Sequence, residues 1–393
     1  HEDLTILDDV LRDADVVVDA IFGVGIKGEP RGLEGMAIRE INRLKAKYNF
    51  KIVSIDVPSG FDCYRGVKTE TMVASDLVVT FHDMKNGLDR LDVDVVVRGI
   101  GIPPEADMFV GPGDLLEFLK PRKPTAHKGD FGRILIIGGS KYYSGAPALV
   151  SLAALKTGAD LSIIYAPEEI ANSIRSISPN LIVWSYKGAT LTTEAVSEIL
   201  DKAKRFDVIV VGPGLGVEEE TLLAAHQLIE DASRGKPIIV DADGIKAIAK
   251  FGIPPGDLIV TPHAGEFRLL TGISLPDNIF ERGDIIMNIA QKHKITILLK
   301  GHVDIISDGL NIKYNRTGNP GMTVGGTGDV LAGIVASIRA CGFRSFDSAC
   351  IGAFICGLSG DLALRDHDYG LTATDVIDYI PKALRHIRDF IWG

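Results

Sequence analysis

Residues 208–216 read Val-Ile-Val-Val-Gly-Pro-Gly-Leu-Gly. Four consecutive branched residues with no polar alternation describe a strand buried on both faces, and the glycine–proline turn ends it. Glycines at the carboxyl end of such a strand lie where open α/β sheets bind ligands. The same cadence recurs at Arg133–Ile137, Leu161–Tyr165, Pro237–Val240, Leu258–Thr261 and Ile295–Leu299, with helical stretches between. Upstream, Val16–Val18, Lys51–Ile55, Leu77–Phe81 and Val93–Val97 form a second series around a helical pattern from Gly35 to Ala46. Residues 105–127 break the rhythm with clustered proline and glycine and read as a connection containing a short helix, Asp114–Leu119. From Asp329 to about Gly360 the chain is apolar and rich in small residues, as tightly packed helices are. The reading is α/β throughout, with one unit over 1–104 and a larger one over 105–393. No internal repeat is visible.

The composition bounds what such a chain can do. Of 393 residues, 46% are hydrophobic and 24% charged, enough apolar matter for two or three domain cores and too much for a disordered chain. Forty-two basic against 52 acidic residues leave a net charge of −10, which argues against nucleic acid or an anionic membrane as partner. Glycine is abundant, 43 residues without a collagen-like period, which favours phosphate loops and tight turns. The four cysteines, Cys63, Cys341, Cys350 and Cys356, show no metal-binding spacing and read as free thiols of a reducing, cytoplasmic compartment. No uninterrupted apolar run approaches the ~18 residues of a membrane span. The acidic start, HEDLTILDD, lacks the shape of a signal peptide.

The sharpest local signal is Gly325-Gly326-Thr327-Gly328-Asp329-Val330-Leu331. Small residues let backbone N–H groups close on an anion, and the apolar helix that follows offers its positive end. Asp329, at the helix start, is either a base for a substrate hydroxyl or an ordinary helix cap. Four successive strands end in Gly212–Gly216, Asp241–Gly244, Thr261–Glu266 and Lys300–His302, the residue types that hold phosphates, metals and polar groups. His263, in a turn past a strand, favours a functional reading over a structural one. Asp241 and Asp243 either bear on Mg²⁺ or cap the next helix.

Taken together, HKGDFGRILIIGGS (127–140), SGAPALVSLAALKTGAD (144–160), VGPGLG (211–216), VDADG (240–244), TPHAGEF (261–267), LLKG (298–301) and GNPGMTVGGTGDVLAG (318–333) resemble the ribokinase-like superfamily. Within it they resemble the ATP/ADP-dependent NAD(P)H-hydrate dehydratases, in family order over about residues 108–393. The resemblance implies a lyase. A nucleotide phosphorylates the hydroxyl of (6S)-hydrated NADH or NADPH, and phosphate then leaves to restore the double bond. It places Ala146, Gly216, His263 and Asp329 at hydrate-contacting positions and Lys300, Gly301, His302, Val303, Asp304 and Gly328 at nucleotide positions. Asp329 becomes the base, the amides of Gly326, Thr327 and Gly328 steady the transferring phosphoryl group, and Mg²⁺ is expected with the nucleotide. ADP is favoured over ATP as donor, because fused chains resemble those that use ADP. The resemblance also implies a homo-oligomer, since such enzymes are often symmetric multimers.

DAIFGVGIKGEPRG (19–32), SIDVPSGFD (54–62) and the stretch from Ala74 to Leu88 resemble NAD(P)H-hydrate epimerases, which interconvert the R and S hydrates. That resemblance implies K⁺ held by Asp19 and Ser59. It also implies hydrate contacts at Gly23, Val24, Gly25, Ile26, Lys27, Gly28, Glu29 and Asp56, with Asp19 available to move the proton at C6. Nothing like the family's GNNGGDG loop precedes His1. The expectation is therefore a partial Rossmann-like epimerase domain, unable to epimerise, followed by a complete ribokinase-like dehydratase domain. Two rival readings stand beside it: a ribokinase-like kinase of a small alcohol or vitamin precursor, and a nucleotide-binding assembly subunit without catalysis.

Overall fold

The computed structural model describes residues 4, 6–63, 65–103 and 105–392. The chain divides into two compact units, His1–Ala106 and Asp107–Gly393.

In the first unit, β1 (Val16–Asp19), β2 (Lys51–Ile55), β5 (Leu77–Phe81) and β6 (Asp94–Arg98) form a parallel sheet in the order β1-β2-β5-β6; β3 (Phe61–Asp62) and β4 (Val67–Lys68) pair as a small hairpin between them in sequence. The helix Gly32–Tyr48 crosses from β1 to β2 and buries Ile38, Ile41 and Leu44 with Phe50 and Ile52. It ends at Asn49, whose φ of 59° is the left-handed cap that asparagine tolerates better than most residues.

The second unit is built on nine strands: β7 (Arg133–Ile137), β8 (Leu161–Pro167), β9 (Ile182–Tyr186), β10 (Val208–Val211), β11 (Ile238–Val240), β12 (Leu258–Val260), β13 (Thr296–Leu299), β14 (Asp304–Ser307) and β15 (Ile312–Asn315). Their order is β15-β14-β13-β12-β11-β10-β7-β8-β9, parallel from β9 to β13 and antiparallel at the β14–β15 hairpin. The unbroken apolar runs serve both faces. In β7, Ile134 and Ile136 join the core beneath the helices Gly145–Thr157, Thr327–Ala340, Ser345–His367 and Ala373–Trp392, while Leu135 and Ile137 join the opposite core under Thr193–Ala203, Glu219–Ser233 and Asp243–Phe251. This is the arrangement that covered parallel sheets require.

Several elements depart from expectation. β9, β14 and β15 are additional strands; their runs are short and carry Ser, Asp, Lys or Asn, so they lack the continuous apolar signal. The helix expected at Asp114–Leu119 is a single 3₁₀ turn at Pro112–Leu115, where Pro112 starts the turn and Asp114 accepts the Gly111 N–H. Residues 107–119, read as a connection within 105–393, are packed into the second unit: Phe109 bridges Tyr314, and Leu115 and Leu119 are buried in its core. Finally, Ser345–Gly370 is apolar and long enough to cross a membrane by length and composition, although serine and glycine disguise it in the sequence. In the fold, 72% of that apolar window is buried, as in a core helix.

Candidate active site

β10, β11, β12 and β13 are neighbours and run parallel, so their carboxyl ends share one edge of the sheet. The four turns that follow them therefore meet. Gly212 has φ +131°, and a Cβ there would fall 1.8 Å from the Asp241 carbonyl oxygen, so only glycine fits. Lys300 donates its N–H to the Pro262 carbonyl at 2.8 Å, tying the β13 turn to the β12 turn.

The centre is a charge cluster. The buried Asp241 carboxylate accepts from Thr261 Oγ1 at 2.7 Å and from Lys300 Nζ at 3.0 Å, and the same ammonium lies 3.9 Å from Glu266 Oε2. Burial pulls the Lys300 pKa down, but Asp241 and Glu266 outweigh it and the group is raised. The helix Thr327–Ala340 begins above this ammonium, with Gly326 at φ 97° as its cap. A Cβ at Gly328 would stand 3.3 Å from Lys300 Nζ. Asp329, in the first turn, is pushed up to about 8 by burial and by the charges of Asp241 and Asp243, with Lys300 opposing. A carboxyl at that value can accept a proton near neutral pH.

Beside the cluster opens a cavity of about 370 Å³. Lys300, Gly301, His302, Asp304, Thr327 and Gly328 line it; Val303 and Gly326 do not. Burial pushes the Asp304 carboxyl up to about 6, against hydrogen bonds from Asn315 Nδ2 at 2.9 Å and the Gly301 N–H at 3.0 Å. Across the mouth, Asp361 accepts from the Gly318 N–H and Asn319 Nδ2, both at 3.0 Å, and fixes the strap before the glycine nest. Asp361 escapes sequence reasoning because 43 residues separate it from Gly318. Glu266 stands in a motif that sequence reading singles out, but its contact with Lys300 depends on strand order.

Of the expected hydrate contacts, Ala146 abuts the Gly212–Gly216 turn, since a Cβ at Gly214 would lie 3.2 Å from the Ala146 Cβ. The Gly216 N–H donates to Asp243 Oδ2 at 2.9 Å, and Lys246 holds the other oxygen at 2.7 Å. His263 has a structural duty: its Nδ1 accepts from the Gly265 and Glu266 N–H groups and caps the helix Ala264–Thr271. In the neutral ring the proton then sits on Nε2, and the side chain is exposed. Asp241 and Asp243 are engaged by Lys300 and Lys246, which tells against either as a Mg²⁺ ligand. Among the described residues no three His, Cys, Asp or Glu cluster as a metal site.

In the first unit Asp19 ends β1 and is buried. Its carboxylate accepts from Ser54 Oγ (2.7 Å), the Ser59 N–H (2.8 Å) and Ser59 Oγ (2.5 Å). Ser59 Oγ also takes the Phe22 N–H at 2.8 Å and lies 3.4 Å from the Phe22 carbonyl oxygen. Asp19 and Ser59 therefore sit together with hard oxygens converging. The loop from Gly23 to Glu29 is anchored at its end: the Gly28 N–H reaches Asp62, and Glu29 accepts from the Glu70 and Thr71 N–H groups. Gly23, Val24, Gly25 and Lys27 are exposed, with Ile26 half-buried. Asp56, at φ 68°, pairs with Lys85 at 2.7 Å and accepts the Phe81 N–H at 3.1 Å; burial opposes, but these partners hold its carboxyl below the usual range.

A covered parallel sheet with a glycine-rich helix start, a half-buried lysine and a nucleotide-sized cavity at its carboxyl edge defines an α/β enzyme of the ribokinase-like class. Solved structures agree. An ADP/ATP-dependent NAD(P)H-hydrate dehydratase from Bacillus subtilis, co-crystallised with ATP/Mg²⁺, aligns with a TM-score of 0.62 at 25% identity, covering 73% of this chain and 99% of its own. A ribokinase-like superfamily protein from Enterococcus faecalis aligns with a TM-score of 0.62 at 26% identity, over 71% of this chain and 96% of its own. The family described as NAD(P)H-hydrate dehydratase matches residues 134–382, and the YjeF-related protein N-terminus matches residues 1–87. The bifunctional NAD(P)H-hydrate repair enzyme of Methanothermobacter thermautotrophicus is 45% identical over 95% of this chain and 72% of its own length; that of Pyrobaculum aerophilum is 42% identical over 98% and 76%. The chain belongs to the family of bifunctional NAD(P)H-hydrate repair enzymes, with an epimerase-type and a dehydratase-type domain.

Proposed function

We propose that the second unit dehydrates (6S)-hydrated NADH or NADPH through phosphorylation, with ADP as donor, and that Asp329 is its base. The observation that carries this reading is Asp329 at the start of the helix Thr327–Ala340, raised to about 8, beside the Gly326–Gly328 nest and Lys300. The nucleotide occupies the 370 Å³ cavity, with its terminal phosphate at Gly328 and Lys300. Asp329 takes the proton of the C6 hydroxyl as that oxygen attacks the terminal phosphorus and the bond to the leaving nucleotide breaks. Lys300 and the nest amides balance charge on the transferring group, each placed donor contributing about 3–4 kcal/mol. Phosphate then departs with the C6–O electron pair and C5 loses a proton, which closes the 5,6 double bond. Hydroxide leaves poorly and phosphate well, and that difference is what the kinase scaffold supplies. Mg²⁺, bound with the nucleotide, would neutralise phosphate charge beside Gly328 and Lys300.

In the first unit, Asp19 Oδ1, Ser59 Oγ and the Phe22 carbonyl offer three hard oxygens that fit K⁺. The ion would supply a fixed positive charge beside the substrate. In contrast to the sequence expectation of a domain unable to epimerise, Asp19 is positioned by Ser54 and Ser59 to carry the C6 proton between the R and S hydrates, and K⁺-dependent conversion of the R hydrate that Asp19→Ala abolishes is the expected result.

The test is incubation of the chain with mixed hydrates, Mg²⁺ and either ADP or ATP, following return of the nicotinamide absorbance. Free phosphate, AMP and NAD(P)H are expected with ADP. Accumulation of a phosphorylated substrate would favour a kinase, and activity with ATP alone would overturn the donor assignment.

A further inference from the structure

A second cavity, about 760 Å³, lies in the same unit away from the nucleotide pocket. Its place follows from three helices. Gly145–Thr157, Thr327–Ala340 and Ala373–Trp392 all begin at the active site, where Ala146, Asp329 and Ala373 stand around Gly214 and Gly326. The cavity is lined from their far ends, by Thr157, Cys341, Leu384 and Arg388. The 13 residues of the first helix alone separate the two sites by about 20 Å.

The walls are aromatic and basic. Phe118 and Phe343 meet edge to face at 5.8 Å. The Arg122 guanidinium lies 3.5 Å over the Phe131 ring and donates to the Gly158 carbonyl at 2.6 Å, so it is a fixed part of the wall. Of the two acids present, Glu117 is paired with Lys120, and Asp130 accepts the His127 N–H at 2.7 Å. Lys123 and Arg388, both exposed, enter no ion pair or side-chain hydrogen bond among the described residues. This cationic, aromatic recess falls within the ~300–1,000 Å³ of small-molecule sites.

We propose that this cavity binds an aromatic anion: a planar apolar ring that packs against Phe118, Phe343 and Leu384 and carries a carboxylate, sulfonate or phosphate toward Lys123 and Arg388. Apolar burial supplies affinity, and the two unpartnered cations supply selectivity for charge. The position, at the far ends of the helices that present Ala146 and Asp329, is separate from the proposed dehydratase site.

The test uses the full chain with saturating ADP and Mg²⁺, which fill the nucleotide pocket, and 8-anilinonaphthalene-1-sulfonate as a fluorescent probe. Saturable binding of one probe per chain is expected, displaced by benzoate and not by benzyl alcohol. The double variant Lys123→Glu/Arg388→Glu should bind the probe about tenfold more weakly or worse, with the dehydration rate unchanged. Lys204→Glu, an exposed charge reversal elsewhere, should leave binding intact. No saturable binding, equal displacement by benzyl alcohol, or undiminished affinity in the double variant would overturn the proposal.

Discussion

Lys300 sets the charge balance of the dehydratase site. Its ammonium serves Asp241 and Glu266 from below and faces Gly328 from beneath the nest. Lys300→Met should leave the buried Asp241 carboxylate without its counter-ion, a change that typically costs about 3–5 kcal/mol. Nucleotide affinity should fall as well; an unaltered melting temperature and nucleotide Kd would contradict this role. For Asp329 the direction of the pH effect can be worked out. The base must be ionised, and in the free enzyme it titrates at about 8, so kcat/KM should rise with pH through that value. Asp329→Asn should abolish that limb and lower turnover by ~10²–10⁴-fold while nucleotide still binds. The same carboxyl is ionised in the unfolded chain from about pH 4 upward but protonated in the fold until about 8. Its burial thus costs the native state up to about 1.4 kcal/mol more with each pH unit between those values. The melting temperature of Asp329→Asn should exceed that of the parent by a margin that widens from pH 5 to pH 8 and then levels; a constant margin would refute the assigned shift. Asp329 was legible because glycines precede it and an apolar helix follows. Asp361 was not, and Glu266 only as a member of its motif, since their contacts arise from the fold and not from sequence proximity.

Two helices carry the site, and their packing is close. Gly333 in Thr327–Ala340 faces Gly145–Thr157, and a Cβ there would fall 2.2 Å from the Val150 carbonyl oxygen and 2.9 Å from the Ala153 Cβ. Gly333→Ala must push the helices apart, at about 1–3 kcal/mol for overpacking. Because one helix presents Asp329 and the other Ala146, turnover should fall together with the melting temperature. A variant of native stability and activity would show that the helices separate without strain. Element reading succeeded where runs were long and apolar: the bounds of β2, β5, β7 and β10 coincide with the hydrophobic runs in the sequence. It failed at β14 and β15, where Asp304, Lys313 and Asn315 interrupt four-residue strands. Two of those polar residues serve the cavity, since Asp304 lines it and Asn315 holds Asp304, while Lys313 pairs with Asp114 in the 3₁₀ turn.

At the scale of the molecule, the second unit holds its own sheet and both of the hydrophobic clusters that flank it. A fragment beginning at Asp107 should therefore fold and dehydrate the S hydrate at the rate of the whole chain; loss of that activity would show that the first unit contributes to it. The starting point of such a fragment matters for a different reason. β15 is the outermost strand of the nine, and residues 109–110 run alongside it: Phe109 bridges Tyr314, and Val110 donates its N–H to the Tyr314 carbonyl at 2.8 Å. Arg316 covers the Phe109 ring at 3.9 Å, and Phe280 closes on Tyr314 from the other side. These few residues act as a selvedge, finishing a raw β-edge that would otherwise be open to a neighbouring molecule. Cutting the chain at residue 112 instead of 107 removes five residues and no part of the proposed active site, yet the fragment should turn from a clear solution into a precipitating one as its concentration is raised.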